Sequence, residues 1–207
     1  MSRLLHISAS PRGTESISLG IAETFVQEYQ DSHPGAQIDR FDLWDGSLPE
    51  FGPDAAAAKM TVFGGGTPQG AQAAAWAAAV ATFERFDAYD RYLFSVPMWN
   101  GGVPYKLKQF IDVVSQPAMV FDVHPDTGYT GLLAGKRAAV VYTSAVWGPG
   151  LDSRFGNDFQ STYFLDWLRW AGVADVQEIR HHPTLTGSYE HERKRAEDRA
   201  REVARTF

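Results

Sequence analysis

Three stretches of the chain combine residue types that could hold a ligand. In the first, Ser8 to Ser18, a single turn holds Ser8, Ser10, Arg12, Ser16 and Ser18, with Ile17 between the last two serines. An apolar-periodic segment follows at once. A hydroxyl-rich turn opening onto a helix start offers free backbone N–H groups, the positive dipole end and side-chain donors, which together suit an anion. Arg12 could add a charge-assisted contact. Any one serine there is more commonly a helix cap, but the cluster with an arginine favours a phosphate. The second stretch is Met98, Trp99, Asn100, Gly101 and Gly102, between Pro97 and Pro104. Its glycines let the backbone approach a flat partner closely. The third is Ser144, Ala145, Val146 and Trp147, after another apolar run.

The surrounding segments must place these stretches. Arg3 to Ser8 reads as a first strand, and Ile17, Ile21 and Phe25 form the inner stripe of the helix after it. Gln37 to Leu43 reads as a second strand. Residues 44–66 form an irregular excursion holding Pro49 and Pro53, with a helical turn over Asp54 to Val62. Thr67 and Pro68 look like a helix start, with Trp76, Val80 and Phe83 as core positions. Tyr92 to Val96 is a short apolar strand, ended by Pro97, which has no N–H for a ladder. Pro104 opens a helix with Leu107, Phe110, Ile111 and Val114 on one face. A hairpin is expected over 117–133, with arms Met119 to Val123 and Tyr129 to Leu133. Lys136 to Ser144, a helix over Phe159 to Ala171, a strand over Val173 to Ile179 and a charged helix over Ser188 to Phe207 complete the chain.

Five strands alternating with helices imply one α/β domain with a doubly wound five-stranded parallel sheet and helices on both faces. In a strand order 2-1-3-4-5 the three stretches follow strands one, three and four, and converge on the crevice where the order reverses.

Composition narrows the function. The chain has 207 residues, 44% of them hydrophobic, with 19 Lys and Arg against 25 Asp and Glu and a formal net charge of −6. That balance argues against nucleic acid, which calls for a basic surface. Cysteine is absent, so thiol catalysis and disulfides are excluded. The six histidines show no metal-ligand spacing, and no metal is expected. No apolar run is long enough to span a bilayer, and the start lacks a leader's apolar region. A cytoplasmic protein with no membrane partner is the expectation. There is no Walker A loop, no Gly-x-Gly-x-x-Gly fingerprint and no Gly-x-Ser-x-Gly elbow.

Pro97 to Asn100 followed by Val103 to Lys108 resembles the FMN-dependent NADH-azoreductase family, a branch of the flavodoxin-like quinone reductases. The similarity extends over almost the whole chain. It implies a flavodoxin-like fold, tightly bound FMN, NADH as donor, and quinones or azo compounds as two-electron acceptors in a ping-pong hydride transfer carried by the flavin, with no catalytic side chain. It implies that Ser10, Ser16, Ile17 and Ser18 hold the phosphate. Met98, Trp99, Asn100 and Gly101 would lie along the ring, with backbone N–H groups of Trp99 to Gly101 bonding its heteroatoms. Ser144, Ala145, Val146 and Trp147 would lie beside them, toward the pyrimidine edge, while Phe121 and Tyr129 would line the substrate site. It also implies a homodimer, with the hairpin and the aromatic helix as contact surfaces.

Two positions depart from the family pattern. Gly101 stands where an aromatic residue is usual, which would widen the substrate site. Ala145 and Val146 replace a Gly-Gly pair. The reading from a different class is a non-catalytic flavodoxin-like electron carrier or redox-sensing module, which needs a partner surface rather than an enclosed substrate pocket.

Overall fold

The computed structural model describes residues 2–185 and 189–207. Five strands form one parallel sheet: β1 (Arg3–Ser8), β2 (Gln37–Asp42), β3 (Arg91–Pro97), β6 (Arg137–Thr143) and β7 (Asp175–His181), in the order β2-β1-β3-β6-β7. Two short strands, β4 (Phe121–His124) and β5 (Gly128–Gly131), pair antiparallel as a separate hairpin. The helices are α1 (Ile17–Ser32), α2 (Pro53–Phe63), α3 (Gly70–Asp87), α4 (Tyr105–Val114), α5 (Gln160–Trp170) and α6 (Tyr189–Thr206).

Strands β1, β3 and β6 are near-continuous apolar runs because helices cover both faces of the sheet. On one face Leu4, Leu93, Ala139, Val141 and Ile179 pack against Ile21 and Phe25 of α1 and Ala200 and Val203 of α6. On the other, Leu5, Ile7, Phe94, Val140 and Tyr142 meet α3, α4 and α5 through Phe86, Phe110 and Phe164. Leu107, Phe110, Ile111 and Val114 are all buried, as the helical spacing predicts.

The register sets the carboxyl ends of the strands side by side. Ser8 is level with Ser95, Pro97 with Thr143, and Thr143 with His181. The crossover direction reverses between β1 and β3, so the loops after those strands border one crevice.

Several elements differ from the sequence expectation. The excursion contains a full helix, α2, with Pro53 at its first turn, where its missing N–H costs nothing. Helix α3 begins at Gly70, beyond Thr67 and Pro68, because Gln69 is extended and Gly70 has φ +57°. Its buried positions are Ala79, Thr82 and Phe86, while Trp76, Val80 and Phe83 are only half-buried. Strand β7 is shifted two residues along the chain from the expected range, starting at Asp175 and ending at His181. The start of the last helix at Ser188 lies outside the described residues.

Candidate functional site

The first loop is built by the end of β1 and the start of α1. The Ala9 N–H donates to the Ser95 carbonyl at 3.0 Å, extending the ladder beyond the strand. Ser16 is the N-cap of α1: its hydroxyl accepts the Leu19 N–H at 3.3 Å and its carbonyl accepts from Gly20 at 3.0 Å. The Ile17 and Ser18 N–H groups precede any intrahelical acceptor. The Ser16 and Ser18 hydroxyls are 3.2 Å apart. Ser10 is buried and Arg12 exposed.

A cavity opens here, lined among others by Ser10, Arg12, Ser16, Ile17, Ser144 and Thr184. Among the described residues no carboxylate lines it. One cation, several hydroxyls and a helix N-terminus without a competing anion make a donor set that fits a phosphate monoester. This end of the site therefore suits FMN.

The second loop is a tight hairpin turn. Trp99 and Gly102 exchange both backbone hydrogen bonds at 2.9 Å, around Asn100 with φ 50° and Gly101 with φ +84°. Positive φ at both central residues is the geometry that Asn-Gly favours. The Trp99 N–H is therefore occupied by the Gly102 carbonyl. Of the three N–H groups expected to face a ring, those of Asn100 and Gly101 remain outside the turn's own bonds. The Met98 N–H donates to the Thr143 carbonyl at 2.7 Å, so it too belongs to the sheet. Trp99 is braced by Trp44 at 5.7 Å and Tyr105 at 6.2 Å between ring centroids. Trp44 is fixed by its indole N–H on the Ala9 carbonyl at 3.0 Å.

The third loop follows β6. Ser144 is buried, with its hydroxyl 2.5 Å from the Trp147 carbonyl and 2.7 Å from His182 Nδ1. Ala145 and Val146 are exposed. Backbone bonds from Thr184 to Ser144 (2.8 Å) and from Leu185 to Ala145 (2.9 Å) tie this loop to the chain after β7. Burial pushes the His182 imidazole down to about 4, with the Arg180 charge acting in the same direction.

A second cavity, bordered by Asn100, Gly101, Val146, Trp147, Phe155 and Asn157, shares Met98, Ser144 and Ala145 with the first. The three loops therefore meet on one continuous cleft, polar at the α1 end and bordered by Val146, Trp147 and Phe155 at the other. Gly101 does not face open space. A Cβ there would lie 3.6 Å from Phe159 Cδ2 and 3.6 Å from the Asn157 carbonyl.

Phe121 and Tyr129 are placed elsewhere within the single chain. Phe121 is buried, its ring 4.8 Å from Trp170 and 5.3 Å from Tyr129. Neither residue lines the two cavities. Sequence reasoning missed Thr184, Thr143 and the 155–157 segment as walls of the cleft. Thr184 lies in a stretch with no motif, and only the fold brings it beside Ser144. The hydroxyl-rich turn contained the signal for Arg12.

The sequence model of the flavodoxin-like fold family matches residues 2–205. An FMN-dependent NADH:quinone oxidoreductase of Ruegeria pomeroyi is 47% identical over 185 residues, covering 89% of this chain and 91% of that protein. A protein of the same name from Desulfotalea psychrophila is 40% identical over 193 residues, 93% of this chain and 91% of its own. Among solved structures, an FMN-dependent NADH-azoreductase from Bacillus anthracis in complex with FMN superposes with a TM-score of 0.88. It covers 99% of this chain and 98% of its own at 22% identity, a likeness of fold.

Proposed function

The chain belongs to the FMN-dependent NADH:quinone oxidoreductases of flavodoxin-like fold, and from that premise we propose that it passes two electrons from NADH, by way of FMN, to quinones and azo compounds. The observation that carries this reading is the single cleft where three strand-end loops meet, with a phosphate-type donor set at one end. Bound FMN supplies the chemistry, accepting a hydride and delivering an electron pair. The chain's own residues bind and orient it.

Ser10, Arg12 and the N–H groups of Ile17 and Ser18 would hold the phosphate, with Ser16 keeping the helix start in shape. Asn100 and Gly101 would present backbone N–H groups to the ring edge from a turn whose conformation is fixed by its own two hydrogen bonds. Met98, Ser144, Ala145, Val146 and Trp147 would border the ring. No side-chain acid or base lines the second cavity among the described residues, and water can supply the acceptor's protons.

The same reading makes the protein a cytoplasmic homodimer. Exposed aromatic residues near the cleft and on the hairpin, Phe155, Phe159 and Tyr129, support a second copy covering these surfaces. Phe121 and Tyr129 would then line a substrate site only across the dimer. No helix of the described residues is long and apolar enough to cross a membrane.

Anaerobic mixing of the purified protein with FMN and NADH tests the function. An enzyme bleaches the flavin directly and recovers its colour on addition of a quinone. An electron carrier stays yellow until a separate reductase is supplied, and that outcome would reject the proposal.

A further inference from the structure

Three residues from two loops form a buried relay on the wall of the cleft. The Ser144 hydroxyl has one proton and two close neighbours, the Trp147 carbonyl at 2.5 Å and His182 Nδ1 at 2.7 Å. A carbonyl oxygen can only accept, so the Ser144 proton goes to Trp147. The Ser144 oxygen must then accept from His182, which places the imidazole proton on Nδ1. Nε2 is independent support for this assignment. It is buried without a hydrogen-bond partner among the described residues. A bare acceptor is tolerated there more readily than an orphaned N–H donor would be.

We propose that His182 is a positioning residue for the cofactor cleft, donating from Nδ1 to Ser144 so that the Ser144 hydroxyl holds the Trp147 carbonyl and fixes the 144–147 loop. This rests on the flavin-site reading above. The surroundings strengthen the link. The stretch 182–185 runs along the loop through the Thr184 to Ser144 and Leu185 to Ala145 backbone bonds. Pro183 Cδ lies 3.1 Å from where a Cβ on Gly148 would stand. The Trp147 ring meets the imidazole edge-on, with centroids 5.1 Å apart and planes at 75°. Ser144 borders both cavities and Thr184 borders the phosphate end. One histidine therefore couples the phosphate end of the cleft to its ring end. Burial keeps this imidazole neutral at physiological pH, so the relay has a single protonation state there.

Nitrogen NMR of histidine-labelled protein reads the tautomer directly, with His182 assigned by loss of its signals in His182→Asn. Nδ1 protonated and Nε2 bare at neutral pH is the expected result; the opposite tautomer overturns the proposal. FMN and riboflavin titrations then test the positioning. His182→Leu keeps bulk without a donor and should weaken both ligands about tenfold, the loss of one buried hydrogen bond. His182→Asn puts an amide N–H near the place of Nδ1 and should restore most of the affinity. Equal weakening by Leu and Asn would mean packing alone, and no weakening by Leu would mean no role; either overturns the proposal. Should His182→Leu fail to fold, Ser144→Ala interrupts the same relay and should weaken both flavins alike, whereas unchanged binding there counts against it. Absence of NADH oxidation in the wild-type protein would reject the enzymatic reading while leaving the tautomer and flavin titrations readable.

Discussion

The carbonyl of Gly101 accepts the amide proton of Phe159 at 3.0 Å, and the Phe159 ring occupies the space beside the bare Cα of Gly101. The φ of +84° at Gly101 is one that a side chain opposes, at a cost of about 1–2 kcal/mol. Gly101→Ala should therefore distort the turn, weaken flavin binding and lower kcat/KM equally for large and small acceptors. Phe159 is 64% exposed, and Phe159→Ala should instead raise turnover of bulky azo dyes relative to a small benzoquinone. Steady-state kinetics with a size series of acceptors separates the two. An unequal loss in Gly101→Ala would count against the backbone explanation.

Ser10 and Ser16 should separate binding from folding. Ser16 caps α1 through the Leu19 N–H, so Ser16→Ala should cost about 1 kcal/mol of stability in urea unfolding. Ser10 contributes no cap. Ser10→Ala should leave the urea midpoint in place and weaken FMN, but not riboflavin, by about 1–3 kcal/mol. An unchanged FMN-to-riboflavin ratio would remove Ser10 from the phosphate site.

Arg12 provides the only cationic side chain lining the phosphate-end cavity among the described residues. Arg12→Gln should weaken FMN by about 1.5–3 kcal/mol and flatten the dependence of FMN affinity on salt, since an exposed charge is screened by ions. Riboflavin affinity should not move. Titrations at two ionic strengths check both effects.

Acid should destabilise the protein through its buried histidines, His6 and His182 foremost. His6 is pushed down to about 4 by burial, with its Nε2 2.7 Å from the Ser95 hydroxyl, and His182 also to about 4. Both have an ordinary value of 6.5 in the unfolded chain. Between pH 6.5 and 4 the unfolded chain binds protons that the folded one refuses. Stability is complete above that window and falls as pH drops through it, by up to roughly 3 kcal/mol per histidine. Carboxylates held low by partners, such as Glu23 beside Arg40, extend the loss to lower pH. Urea midpoints at pH 7.5, 6 and 5 should decline, and His6→Asn should shallow the slope. A flat profile would mean that the two imidazoles titrate normally.

Much of this arrangement was legible in the sequence because it is written in local chemistry. Tyr92 to Val96 is apolar except for Ser95, whose hydroxyl is met by His6, because both faces of the strand are covered, and Pro97 marks where pairing stops. Asn100 and Gly101 specify their turn through positive φ. Helix α2 was less legible: Ala55 and Ala58 are its buried residues, and alanine gives little hydrophobic contrast between faces. Helix α3 misled for a related reason. Its close approach to the core uses Ala79 and Thr82, while the larger Trp76 sits at the half-buried margin. Thr184 and His182 could not be read at all, since each acquires its role only from Ser144, some 40 residues earlier and one strand away.

The ladders that run past the ends of the strands have a consequence for how a cofactor is acquired. Leu43 bonds to Ser8, Ala9 to Ser95, Met98 to Thr143 and Thr184 to Ser144, each at 3.0 Å or less. The floor of the cleft is thus sheet rather than free loop, and it is ordered before anything enters. A ligand arriving there freezes little additional backbone, so its contacts are not spent on ordering the receptor. The amides of Ala9, Met98 and Thr184 should resist deuterium exchange in the ligand-free protein nearly as well as in the loaded one. Flavin could then leave and return without a refolding step, and reconstitution would proceed at the speed of encounter.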